Sequence, residues 1–236
     1  MNNPPIDPGS KDQPENLAPG WKPTPVLMFL VSSILLFGAL VADLLARGRL
    51  FWLDSRVLQL TEGIIRPGLT PVMLDITVLG SRTVIAAVWV FIAIYLCFRK
   101  QWRNLYLLVL AYGGGELVIF LLKLIYHRPR PFSRLAEAHG SSFPSGHAFN
   151  VMLLCGFLTY LIWRQVAGKR LRLALSALLG FLVLAVGLSR VYLQAHWLSD
   201  VLAGYLAGFA WLLLSLLLVN YLGQPRGISA AHVSSP

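Results

Sequence analysis

Apolar residues in this chain fall in long runs with short polar stretches between them, and the run lengths predict its elements. The runs lie at approximately Pro25–Leu45, Thr83–Phe98, Leu105–Ile125, Ala148–Trp163, Leu171–Ser189 and Val201–Leu222. A bilayer core about 30 Å thick asks a helix for roughly 17–25 predominantly apolar residues. The second and fourth runs are short, to be completed by tilt, by neighbouring residues or by snorkelling of Arg99, Lys100 and Arg164. The apolar positions cluster and do not alternate, and lipid accepts only spans whose backbone hydrogen bonds close internally. The expected fold is all-α, a polytopic six-transmembrane helical bundle.

The polar stretches refine this picture. Arg47–Ser81 is the longest connection between spans, and its FWLDSRVLQLTEGIIRPG mixes apolar and charged residues at roughly helical spacing. It predicts one short amphipathic helix at the membrane surface between spans one and two, anchored by Phe51 and Trp52 and ended by Pro67-Gly68. Its expected role is structural, with lipid access as the sharper alternative. Residues 1–24 and 223–236 are polar and read as disordered tails, which leaves 25–222 as the membrane domain. The first run is too long and too late for a cleaved signal peptide, so it is expected to be retained.

Composition agrees. The chain is 56% hydrophobic and 13% charged, against about 25% charged in a soluble domain. A net charge of +10 suits nucleic acid in a soluble protein, but here the basic residues sit in loops between spans, and no nucleic-acid partner is expected. RKQWR at 99–103 and WRQVAGKRLR at 163–172 look like cytoplasmic loops under the positive-inside rule. With both tails cytoplasmic, Lys and Arg divide evenly between the two faces. Setting aside Lys123, Arg130 and Arg190 tips the balance mildly toward that orientation. Cys97 and Cys155 both lie inside apolar runs, so neither a disulfide nor a cysteine metal site is expected.

Three stretches place unusual residues at span ends: KLIYHRPRP at 123–131, SSFPSGHAFN at 141–150 and SRVYLQAHWLSD at 189–200. Spans alternate in direction, so the ends of spans three and five and the starts of four and six share one face of the membrane. Lys123, Arg130, His147, Arg190, His196 and Asp200 therefore converge. A lone cation at a helix end commonly snorkels and a lone histidine satisfies a local bond, the reading given to His127, His139 and His232. Gathered cations repel one another unless an anion sits among them.

The residue types say which anion. Lys123, Arg130, Arg190 and the Ser145 hydroxyl make a good cage for a phosphoryl group. Arginine offers paired donors in a fork that matches phosphate oxygens, and lysine a compact charge. The start of span four adds free N–H groups and the positive end of its dipole. Gly146 removes a side chain there, and Pro144 restricts the path into the helix. His196 and Asp200, four apart, are expected on one helical face within hydrogen-bond reach. The carboxylate then fixes the tautomer, leaves the other ring nitrogen free to attack and stabilises the charge that follows. His147 is left as general acid, later taking a proton from water. This implies in-line displacement through a phosphohistidine, driven by positioning and electrostatics. No metal or other cofactor is expected, because the acid clusters that hold magnesium are absent from the sequence.

Lys123-x6-Arg130-Pro131, Pro144-Ser145-Gly146-His147 and Ser189-Arg190-x5-His196-x3-Asp200 together resemble the three-part signature of the type 2 phosphatidic acid phosphatase superfamily. The parts are complete and in order, and the resemblance spans about residues 105–220. It implies His196 as nucleophile, His147 as acid and base, Asp200 as orienting group, and Lys123, Arg130, Ser145, Gly146 and Arg190 as phosphate-binding residues. It also implies cytoplasmic tails and a site facing the outer side, and the compact chain suits a bacterial inner-membrane enzyme. The soluble vanadium haloperoxidases and the larger glucose-6-phosphatases of that superfamily fit the apolar runs less well.

A site walled by apolar spans suits a lipid phosphate as substrate, with membrane lipids around it. The candidates are undecaprenyl diphosphate, phosphatidic acid, phosphatidylglycerophosphate and lipid A phosphates, with a slight lean to the first because an outward-facing site meets that carrier after it has delivered its sugar. Two rivals stand beside hydrolysis: phosphotransfer to another acceptor, and a transporter that binds an anion without turnover. The sequence carries no sign of an oligomeric state. Glu116, inside span three, is a functional candidate as an intramembrane acid, and pairing with a neighbouring helix explains it equally well. Tyr126, Phe132 and Trp197 suit an interfacial aromatic belt as much as a substrate border.

Overall fold

The computed structural model describes residues 23–131, 135 and 140–222. The helices run in the order α1 (Pro23–Leu45), α2 (Arg49–Ile64), α3 (Thr70–Val78), α4 (Arg82–Phe98), α5 (Trp102–Ile125), α6 (Gly146–Gln165), α7 (Lys169–Tyr192) and α8 (Leu198–Leu222). No strand occurs among the described residues. Among the described residues six stretches are long and apolar enough to cross a membrane, so the expected six-span bundle is found. The expected tails lie outside the described residues, apart from Pro23 and Thr24, which begin α1. His139, His232 and Phe132 lie outside them too.

The short second run is completed by a neighbour. The α3 and α4 helices together make one 29-residue span, Thr70–Phe98. The expectation of a single helix within Arg47–Ser81 is corrected accordingly. The surface helix is α2, which stops at Ile64 ahead of Pro67-Gly68, and α3 is a separate helix with a proline in its first turn. Turning from α1 into α2 needs Arg47 at φ 51°. The Asp43 carboxylate then accepts from the N–H groups of Arg49 (3.1 Å) and Leu50 (2.8 Å), which satisfies donors that open α2.

The bundle is built around α6 and α8, each 50% buried over its apolar window, against 17% for α1 and α7. Lipid offers no hydrophobic force to press helices together, so close approach depends on small residues at the contact. Gly204 and Gly208 supply it, one turn apart on α8. A Cβ would come within 2.5 Å of the Ser145 carbonyl at the first and 2.7 Å of the Phe149 carbonyl at the second. That contact brings the opening of α6 hard against the first turns of α8. A second close approach joins α5 to α8: Gly114 makes room for the Trp211 ring, whose Nε1 donates to the Ala111 carbonyl at 3.0 Å. Trp89, Phe149, Leu153 and Phe157 fill the space between α4, α5 and α6. Large apolar side chains such as Met28, Phe91, Phe120 and Phe181 are exposed, as a lipid-facing belt requires.

Candidate active site

The ends of α5 and α7 and the starts of α6 and α8 meet on one side of the bundle. Lys123 lies in the last turn of α5, Ser145 caps α6, Gly146 and His147 open it, and Arg190 lies in the last turn of α7. Arg130 comes from the loop after α5, and Asp200 from the first turn of α8. Lys123, Arg130, Gly146, His147, Arg190 and His196 line one cavity of about 560 Å³. Ser145 and Asp200 are buried beside Gly146 and His196. Every site residue expected from the sequence is thus brought to one place.

The phosphate-cage candidates carry donor capacity that the described residues do not use. Ser145 sits at the N-cap of α6 with no capping bond from its side chain, and its buried hydroxyl has no partner among the described residues. Arg190 donates from Nη1 to Thr77 Oγ1 at 3.0 Å, while its buried Nε is likewise unpaired among them. Lys123 Nζ donates to the Ser141 carbonyl at 2.9 Å. At Gly146 an added Cβ would meet nothing nearer than Lys123 Cε at 3.9 Å, so a side chain there would project into space shared with the lysine. Buried orphaned donors are costly, and a phosphoryl group, rich in acceptors, suits this set.

The two ring nitrogens of His196 are set apart by their neighbours. Arg130 Nη1 lies 3.1 Å from Nε2 and also donates to the Ala195 carbonyl at 2.7 Å. A guanidinium can only donate, so Nε2 carries the lone pair and the proton belongs on Nδ1. Nδ1 stands 3.5 Å from Asp200 Oδ2, near but without a closed hydrogen bond. His196 does not lie on a helical face with Asp200 as expected. It precedes α8, in a turn closed by the Ala195 N–H to the Arg190 carbonyl at 3.1 Å. Asp200 reaches back from the third helical position to the Trp197 N–H at 3.0 Å, one half of a capping box, and this brings its carboxylate beside the ring. Burial drives the His196 pKa down to about 4 against the pull of Asp200, with Arg130 and Arg190 also lowering it. The ring is therefore neutral at neutral pH.

His147 is held by packing. Gly80, at the break between α3 and α4, lies against its ring, and an added Cβ there would stand 3.3 Å from His147 Cδ2. The start of α6 is tied to α8 by the Ser145 N–H, which donates to the Asp200 carbonyl at 2.9 Å. Both histidines therefore rest on the same α6–α8 contact.

Sequence reasoning missed a bridge of charges below Asp200. Arg128 donates at 2.7 Å from Nη1 to Asp200 Oδ1 and at 2.7 Å from Nη2 to Asp54 Oδ2. Buried Asp54, on α2, also accepts from the Ser199 N–H at 2.9 Å and the Ser199 hydroxyl at 2.5 Å. The surface helix thus reaches the site through its single inward carboxylate. Arg128 was visible between Lys123 and Arg130, but a third cation within one motif reads as more of the same until its partners are seen. Glu116 pairs across helices, accepting from Asn150 Nδ2 at 3.0 Å and lying 3.5 Å from Arg82 Nε. Tyr126 and Trp197 line a second cavity of about 580 Å³, beside α1 and α2, and exposed His127 borders both cavities.

Known proteins resemble this chain in sequence and fold. The chain is 30% identical over 184 residues to phosphatidylglycerophosphatase B of Bacillus subtilis (strain 168), covering 77% of this chain and 90% of that protein. Its fold matches the crystal structure of the first transmembrane PAP2 type phosphatidylglycerolphosphate phosphatase from Bacillus subtilis, with a TM-score of 0.69 and 26% identity over 87% of this chain and 99% of that one. Aquifex aeolicus LpxE is similar at a TM-score of 0.58 and 25% identity, over 70% of this chain and 95% of that one. The pattern of the PAP2 superfamily matches residues 104–224, which hold every residue of the cage and both histidines. With that match, the relative and the six-span fold in hand, the chain belongs to the PAP2 superfamily, as a multi-pass membrane phosphatase of lipid phosphates.

Proposed function

We propose that the chain removes the terminal phosphate of a lipid by two successive in-line displacements at phosphorus, with His196 as nucleophile. The observation that carries this reading is the polarity of the His196 ring, with a lone pair on Nε2 beside Arg130 and Nδ1 facing Asp200. In the first step Nε2 attacks phosphorus, the ester oxygen departs, and His147 gives that oxygen its proton. Lys123, Arg130, Arg190, the Ser145 hydroxyl and the N–H groups opening α6 hold the equatorial oxygens as charge redistributes. In the second step His147, now neutral, takes a proton from water. The water oxygen attacks the phosphohistidine, phosphate leaves and His196 is restored. Asp200 stabilises the imidazolium between the two steps. The cations of the chain supply the charge stabilisation, so the reaction proceeds without metal.

Phosphatidylglycerophosphate is the first substrate to test, because the relative is a phosphatidylglycerophosphatase. Undecaprenyl diphosphate and phosphatidic acid follow. The site is assigned to the outer face of a bacterial inner membrane, with both tails cytoplasmic.

Purified protein in detergent and EDTA is expected to release phosphate from at least one of these lipids. His196→Ala should abolish release while the protein keeps its elution profile, and His147→Ala should lower kcat by about 10²–10⁴-fold. The His147→Ala loss should shrink on an aryl phosphate whose leaving group needs no proton. Full activity in His196→Ala, or activity that EDTA removes, would overturn the mechanism. Turnover in ¹⁸O-water separates hydrolysis, which puts the label in phosphate, from transfer to another acceptor.

A further inference from the structure

Arg82 stands where a membrane span should be apolar. It opens α4 in the interior of the span Thr70–Phe98, directly after the break between α3 and α4. The chain leaves the helix there for Ser81, which is extended at ψ 148° and caps α4 by accepting from the Val84 N–H at 3.4 Å. The break faces the catalytic pocket from both sides. Thr77 before it accepts from Arg190, Gly80 within it packs on His147, and Arg82 after it lines the same 560 Å³ cavity as the cage and the two histidines.

The surroundings of Arg82 aim a charge without consuming it. Its side chain is 77% exposed, and its one acidic neighbour within 4 Å among the described residues is Glu116, reached through Nε at 3.5 Å. Glu116 is itself fixed by buried Asn150, which also lines the cavity. An ion pair made through Nε leaves the two terminal nitrogens of the guanidinium to take oxygens as a fork. A cation at mid-depth in a span is expensive unless it meets an anion or water, and one partner at 3.5 Å is weak compensation.

Depth indicates which anion. Glu116 precedes Lys123 by seven residues on α5, which places it about 10 Å further into the membrane at 1.5 Å per residue. A lipid phosphate enters with its outermost phosphorus in the cage and its tail toward the membrane core. Any group between the reacting phosphorus and the tail must then lie on the core side of the cage, where Arg82 is. The cavity is of a size that holds whole small molecules, well beyond a single phosphoryl group. Exposed Phe120 and Leu124 give the cavity an apolar wall on α5, on either side of Lys123, against which the tail of a lipid could lie.

We propose that Arg82, oriented by Glu116, forms a second anion subsite that takes the inner phosphate of a lipid carrying two phosphorus groups, and that it makes such lipids preferred over those with one. This rests on the phosphatase reading above and adds to it the class of substrate. The inner group is either the diester phosphate of a phosphatidylglycerophosphate or the inner phosphate of an isoprenoid diphosphate. Both present a second anion between the reacting phosphorus and the tail.

The test compares wild type, Arg82→Gln and Arg82→Lys on two matched pairs: farnesyl diphosphate with farnesyl phosphate, and phosphatidylglycerophosphate with phosphatidic acid. Arg82→Gln should lower kcat/KM at least tenfold for the two-phosphorus member of one pair and less than threefold for its partner, with partial recovery in Arg82→Lys. The pair that shows the split identifies the inner group. Equal losses on both members of both pairs, or no loss on any, would overturn the proposal. Calorimetric binding of inorganic pyrophosphate and of orthophosphate reads the subsite without turnover. Arg82→Gln should weaken the first at least tenfold and leave the second unchanged, and equal effects on the two overturn the subsite. A wild type that hydrolyses none of the four lipids sinks the phosphatase reading, and the pyrophosphate comparison still decides the role of Arg82.

Discussion

His196 shows how burial selects a protonation state. Its ordinary value of 6.5 falls to about 4 because the ring is desolvated, and the carboxylate beside it only partly offsets this. Two consequences differ in sign of interest but not in direction. For activity, lowering the pH through about 4 puts a proton on Nε2 and removes the lone pair that the proposed mechanism uses to attack phosphorus. For stability, the unfolded chain takes up the proton near 6.5 while the folded chain resists until about 4, so stability declines as pH falls through that window. The acid limb of kcat/KM is therefore expected well below 6.5, with activity at pH 5.5 within about threefold of that at pH 7, a spacing set by the depressed value. A limb centred at 6.5 would show that the ring is not buried neutral. Sequence assigned the chemical types here because histidine, aspartate and arginine have few uses in lipid. It gave no account of the 3.5 Å separation of Nδ1 from Asp200, which a capping turn sets and helix periodicity does not.

Among the helices, α2 departs most from its sequence reading. Amphipathic spacing marked it as a surface helix, and the exposure of Trp52 agrees. Its buried Asp54, however, joins Arg128 and Ser199 and through them Asp200. Neither Arg128 nor Asp54 lines the catalytic cavity, so any effect they have on the reaction is expected to pass through Asp200. Asp54→Asn is expected to lower kcat about tenfold with KM little changed, because a loosened Arg128 no longer holds Oδ1 of Asp200. The acid limb of kcat/KM should move to still lower pH as His196 loses the influence that raises its pKa. A fall in thermal midpoint with an unmoved limb would reduce the bridge to a structural prop. Arg128→Lys should not restore function, because one ammonium cannot reproduce a fork that reaches two carboxylates. No local pattern announces such a bridge, since its ends are separated by most of the chain and Asp54 and Arg128 each alone look like ordinary surface charges.

At the scale of the whole molecule, the even division of basic residues left the orientation weakly determined, and the structure changes the count. Arg82 lies inside the second span and so leaves the loop count, while Lys123 and Arg190, already set aside, lie in helices at the site. With these set aside, the cationic loops at 99–103 and 163–172 fall on the face opposite the cage. In a cysteine-free background, Arg47→Cys is expected to react with a membrane-impermeant thiol reagent added to intact spheroplasts. Lys100→Cys should react only after lysis. The reverse labelling would place the site on the cytoplasmic face. Membership of a phosphatase family removes the transporter rival and leaves hydrolysis against phosphotransfer to the isotope experiment.

The sequence by itself determined the membrane, the number of spans and the class of enzyme. Hydrophobic length and the scarcity of charges in lipid are local properties, and motif residues at alternating span ends must share a face whatever the packing. The tertiary structure decided how the groups are placed. Gly204 and Gly208 set how closely α6 meets α8, the break at Ser81 carries Arg82 to the core side of the cage, and Arg128 links α2 to Asp200. Each of these depends on distances between segments far apart in the chain, and those distances are fixed only when all the helices pack at once.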